Sequence, residues 1–332
     1  MDKMNLKRIT YVFIAFITFS LCAGDMVFAV QKAKVTKNEV KQEISDPETR
    51  LYKQAEEDLD RRFYQAYRIV ERIARANKLD NYPWRVIIPK TKAYDINAYT
   101  SDANAIILEQ GFIDSFYGEI SVLAYVIAHE MAHQVHKDVA RDSRNEEQLA
   151  RKLAEIGIII DPNVVLSNRN LISTDLILQY YLYKKQQEKM EETRIKVKEL
   201  VYEYLAETRK YEYEADKDGL IYIIKAGFNS KGATRFLEIA DRYPQSSDVE
   251  LSTHPRHENR IWQIENLLKT IDIQKYKAEG NRNIKNSKPL TYQKFYDTEI
   301  KTKNRTIRAI VINSEYGSID NINKPFEDLF GK

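Results

Sequence analysis

A chain of 332 residues is long enough to bury a proper core in one large domain or two ordinary ones. Its 52 Lys+Arg and 49 Asp+Glu are intermixed and leave a formal charge of +3, which excludes a basic nucleic-acid surface. Only 10 Gly and 8 Pro point to long helices rather than an all-β or loop-rich design.

Lys3, Lys7 and Arg8 precede the apolar run YVFIAFITFSLCA, and Val27 and Ala29 stand at the −3 and −1 positions of a cleavage site. Residues 1–29 therefore read as a secretory signal peptide. An uncleaved anchor over 9–29 is the rival, since the run approaches the ~18 residues that span a bilayer. Leu21 stands where a lipoprotein signal carries a small residue. The expected location is periplasmic or secreted, with membrane contact only through this segment. Its Cys22 is the single cysteine of the chain, so a processed chain has neither disulfides nor thiolate metal ligands.

Residues 30–47 are polar and read as a tether. From Glu48 to Lys78 apolar residues recur at three and four, the pattern of an amphipathic helix. Strand-like WRVIIP, DINAYT and AIILEQG follow, the last two separated by the turn-like SDAN. SVLAYVIAHEMAHQVHKD is too long and too evenly apolar for a strand and is expected to be helical. A charge-rich stretch comes next, broken by a loop at IGIIIDPNV. A second long helix is expected from about Leu171 to Gly227, its apolar stripe serving core packing. KGATRFLEIADRY and NRIWQIENLLKTI are two further helices flanking THPRH. The tail from Ala278 is polar with a strand-like TIRAIVINS, so residues 48–277 are taken as one domain and 278–332 as a C-terminal extension.

The chain holds 5 histidines, and three of them, His129, His133 and His136, lie in VIAHEMAHQVHKD. His129 and His133 are four apart and share a helix face, which places two imidazoles to hold one Zn²⁺. Glu130 beside them can deprotonate water, and this division of labour is what makes HExxH specific. His136 lies ~10 Å along the axis from His129, too far to join the same ion. With Val139 where a third histidine would stand, a metzincin arrangement is excluded. The third ligand must come from elsewhere, and Glu212 in YEYEAD is the best candidate. Asp216, one turn on, could accept a hydrogen bond from a ligand imidazole. Glu203, Glu207 and Glu214 compete for the ligand role.

With INAYT, AIILEQGFID, HEMAH, EYEAD and LSTHPRHENRI in this order, residues 50–270 resemble the HtpX and CAAX-prenyl-protease family of zinc metallopeptidases. The resemblance implies a zincin-type α+β fold, mainly helical, with a small sheet and two long active-site helices. It implies one zinc per chain held by His129, His133 and Glu212, with Glu130 catalytic and Asp216 supporting. Its Asn-Ala strand falls on Asn97 and Ala98, and its Thr-His-Pro segment with a following arginine on His254 and Arg260. Many relatives carry a histidine five residues after the second motif histidine, where this chain has Asp138. Several branches cross the membrane repeatedly, whereas here only the N-terminal segment is of membrane length.

The expected function is zinc-dependent endopeptidase action on proteins outside the cytoplasm, in quality control. Substrates would be proteins or peptides bound as an extended strand along Asn97-Ala98. His254 would either donate to the developing oxyanion or plug the fourth zinc position, the plug being preferred. The alternative is a zinc-stabilised, chaperone-like scaffold that binds unfolded clients with little turnover; such a protein has no use for Glu130.

Overall fold

The computed structural model describes residues 46–90, 94–101, 105–157, 191–242, 252–295 and 306–313. The expected signal segment, the tether up to residue 45, the turn residues 102–104 and the first part of the second long helix lie outside them. No described helix is long and apolar enough to cross a membrane.

The helix expected over 48–78 is two helices, α1 (Pro47–Asp58) and α2 (Arg61–Ala76). The break has a local cause. Leu59 is extended, and the Asp60 side chain accepts from the backbone N–H of Arg62, as an N-cap does at a new helix. Phe63, Ala66, Tyr67, Val70, Ile73 and Ala74 then bury one stripe of α2 in the main core.

WRVIIP, DINAYT and AIILEQG supply β1 (Trp84–Lys90), β2 (Ala98–Ser101) and β3 (Ala105–Leu108). With β4 (Tyr292–Phe295) and β5 (Thr306–Ile312) they make a sheet in the order β2-β3-β1-β5-β4. β1 runs parallel to β3 and antiparallel to β5, and β2 is antiparallel to β3. The period of two sorts the side chains. Val86, Ile88, Ile106, Leu108, Ile310 and Ile312 enter the main core, while Ile87, Tyr99, Ala105, Ile107 and Ala309 cluster on the other face.

The boundary expected at 277/278 needs correction. β5, the TIRAIVINS segment, pairs with β1 along its whole length, and its Ile310 and Ile312 are fully buried. Residues beyond 277 therefore complete the domain instead of extending from it. The strand-like character of TIRAIVINS is borne out, but its partner, β1, makes it part of the domain's sheet.

Helix α3 (Gln110–Phe116) leads into α4 (Ile120–His136), whose side chains from Val122 to Gln134 are all buried. α5 (Asp138–Glu155) returns from it and packs on the first half of α6 (Glu191–Lys225) through Leu149, Leu153, Val197, Val201 and Leu205. The second half of α6 lies against α4. The approach is close at Gly219, where a Cβ would stand 3.1 Å from both N and Cα of His129. α7 (Lys231–Ala240), α8 (His257–Thr270) and α9 (Ile273–Asn286) enclose this pair. Mainly helical α+β architecture with a small sheet and two long central helices is the outcome expected from the sequence.

Candidate metal centre

In VIAHEMAHQV the alanines, Met131, Glu130 and Gln134 favour a helix, and burial of its apolar residues outweighs the weaker helix preference of Val126 and Ile127. Two polar turns of it, His129 and His133, are each only 1% exposed. Their Nε2 atoms lie 3.1 Å apart with the rings nearly perpendicular. From α6, Glu212 places Oε2 3.5 Å from His129 Nε2 and Oε1 3.5 Å from His133 Nε2. Glu212 is as buried as the histidines.

Both imidazoles are backed by carboxylates on their Nδ1 side. His129 Nδ1 is 3.1 Å from Asp216 Oδ1, and His133 Nδ1 is 2.9 Å from Asp138 Oδ2. Asp216 is itself fixed: Arg260 donates through Nε and Nη2 at 2.6 Å each, and Tyr125 donates its hydroxyl at 2.6 Å. Arg260 Nη1 also lies 3.3 Å from Glu212 Oε2. Carboxylate partners of this kind fix the tautomer and the orientation of a metal-binding imidazole.

The electrostatics favour positive charge at the centre. Burial alone would raise the Glu212 carboxyl, yet His254, His129 and His133 hold it well below the usual range. Asp216 is likewise held low against burial, chiefly by Arg260 and His129. Burial opposes charge on His133, but Asp138 and Glu212 drive its pKa well above the ordinary value. Glu130 is the exception: burial pushes it up to about 7, and neither oxygen has a hydrogen-bond partner among the described residues.

A metal ion fits this donor set. With hydrogens on the Nδ1 side, two Nε2 lone pairs and a carboxylate converge in a buried cluster, and such donors repel unless a cation lies among them. Bonds of 2.0–2.2 Å at tetrahedral angles put neighbouring donor atoms about 3.3–3.6 Å apart. The Nε2–Nε2 distance of 3.1 Å is slightly short of this, and the two 3.5 Å distances, to different oxygens of Glu212, fall within it, so the three side chains leave room for a small ion among them. Nitrogen donors speak against a hard, oxygen-seeking cation.

The competing carboxylates lie elsewhere. Glu203 is exposed and pairs with Lys152, Glu207 pairs with Lys210, and Glu214 is half-exposed against Arg141. His136 points away to Asp218, at 2.8 Å. His254 brings Nδ1 to 3.3 Å from Glu212 Oε2 but is not one of the three mutually close donors. Asn97 is buried just before β2, and Ala98 opens that strand. β2 is a sheet edge that packs on α4, so an extended chain could add beside it. Sequence reasoning missed Tyr125 and the contact of Asp138 with His133. Tyr125 carried a signal, since it lies four residues before His129 on the same helix face.

Comparison with curated proteins gave no match, and comparison with solved structures gave none. A family model, described as Peptidase family M48, matches residues 60–268, well over half of the chain. That span carries α2 to α8 and every residue of the His129–His133–Glu212 group together with its supports. A metallopeptidase site assembled from helices α4 and α6 is what the match and the geometry share, and the chain belongs to peptidase family M48.

Proposed function

We propose that this metallopeptidase is a zinc endopeptidase acting on unfolded proteins outside the cytoplasm, with His129, His133 and Glu212 as ligands. The observation that carries the reading is the buried His129–His133–Glu212 group with, beside His129 on α4, the Glu130 carboxylate that has no hydrogen-bond partner among the described residues. Bound zinc would supply Lewis acidity toward a peptide carbonyl and a water molecule. Glu130 takes the proton of the attacking water and returns it to the leaving amine. Burial raises the Glu130 carboxyl, which favours its accepting a proton. β2 would hold the substrate as an added antiparallel strand, which favours extended, unfolded chains over folded ones. The location rests on the basic, apolar and small-residue layout of residues 1–29.

The test is degradation of casein, an unfolded protein, by the full chain. Cleavage should stop on chelation and return with added zinc. Binding of casein with no cleavage in any metal state would instead favour the chaperone-like reading.

His254 is proposed as an oxyanion donor. Its Nδ1 lies 3.3 Å from Glu212 Oε2, which puts it beside the centre without making it one of the three mutually close donors. His254→Ala should lower kcat/KM roughly 10²-fold at unchanged metal content, the usual effect of losing one such donor. Faster cleavage would instead identify a plug.

A further inference from the structure

Asp138 is not part of the HExxH motif, yet its side chain is 1% exposed and its Oδ2 sits 2.9 Å from His133 Nδ1. On an unbroken helix a residue five beyond His133 would stand ~140° around the axis and ~7.5 Å along it. The chain avoids this by placing Lys137 in the left-handed region, at φ 58°. α4 ends there, α5 begins at Asp138, and the new helix carries that carboxylate back beneath the His133 ring.

The other oxygen of Asp138 is also committed. Arg141, one turn along α5, donates through Nη1 to Asp138 Oδ1 at 2.7 Å. The same nitrogen donates to Glu214 Oε2 at 3.0 Å, and the guanidinium lies 3.9 Å from the centre of the Tyr211 ring. Tyr211 and Glu214 flank Glu212 on α6. One arginine thus joins the carboxylate behind His133 to the turn of helix that carries the third donor.

We propose that Asp138 and Arg141 are positioning residues of the metal centre, Asp138 for His133 and Arg141 for the spacing between His133 and Glu212. The arrangement mirrors the other side of the site, where Asp216 backs His129 and Arg260 spans Asp216 and Glu212. Each imidazole then has its own buried carboxylate, and each carboxylate has its own arginine bridging to α6 or to Glu212. Such partners commonly account for 10–100-fold in metal affinity. The inference rests on His133 and Glu212 being ligands.

Zinc affinity, measured by competition with a chromophoric chelator, tests it on the full chain. The variants are Asp138→Asn, Arg141→Gln and, as control, His133→Ala. Urea unfolding of each metal-free protein separates affinity from stability, and the visible spectrum of the cobalt form reports on ligand geometry. Asp138→Asn should weaken zinc 10–100-fold and alter the cobalt bands, and Arg141→Gln should weaken it several-fold, with unfolding midpoints little changed. If Asp138→Asn fails to fold, Arg141→Gln decides, because a third of its side chain is exposed and its loss is better tolerated. Affinities within twofold of the parent overturn the proposal when His133→Ala still abolishes binding. Weakening in Asp138→Asn alone strikes out Arg141. Retention of zinc by His133→Ala would overturn the ligand reading itself, and the positioning role with it.

Discussion

Glu130→Gln is expected to remove roughly 10³-fold of the hydrolytic rate, within the range ascribed to a positioned general base, while leaving fold and metal in place. The amide has the size of the carboxylate but cannot accept a proton from water. Stability should hold or rise, because Glu130 is 1% exposed and hydrogen-bonded to nothing described, so the substitution removes a poorly solvated acid. Casein cleavage by the two proteins, with zinc content determined on the same samples, measures the effect. Cleavage by the variant within tenfold of the parent would take Glu130 out of the mechanism.

The largest effect on stability should come from Arg260→Met. Arg260 is 2% exposed and neutralises two buried carboxylates, donating twice to Asp216 and lying 3.3 Å from Glu212. Methionine fills the space but takes the chief counter-charge from Asp216 and one of several from Glu212. Breaking one partner out of a buried ion pair commonly costs about 3–5 kcal/mol. Urea unfolding of the metal-free protein should show a loss of that order. The double variant Arg260→Met, Asp216→Asn should recover part of it, since removing both charges is less harmful than stranding one. A single variant within about 1 kcal/mol of the parent would mean that water or rearrangement supplies the compensation.

Legibility differed sharply between the two halves of the site. His129, Glu130 and His133 could be read directly, because one helix period sets their mutual placement and needs nothing from the rest of the fold. Glu212 was readable only as the best of four carboxylates. Its choice depends on which face of α6 meets α4, and that contact is set by Gly219 and the apolar residues around it. Glu214, two residues on, faces Arg141 instead. Asp138 was conspicuous only as a departure from relatives. Its role depends on one left-handed residue, Lys137, which no side-chain preference announces.

The fold shows the same division. The strand character of TIRAIVINS was visible in its β-branched residues, but its partner was not, since β1 lies more than 200 positions earlier. Pairing over that distance is decided by which sheet position remains to be filled. The break between α1 and α2 could have been read from Asp60, a good cap and a poor interior residue. The apolar periodicity across it is nearly continuous and masked the stop.

The proposed zinc site rests on three buried side chains, and the most direct measurement is the metal content of Glu212→Ala beside that of the parent chain. One zinc per chain is expected in the parent, and none retained through gel filtration in the variant, because two imidazoles alone do not complete the site. Equal zinc in the two proteins would contradict the assignment of Glu212 and, with it, the metal centre described.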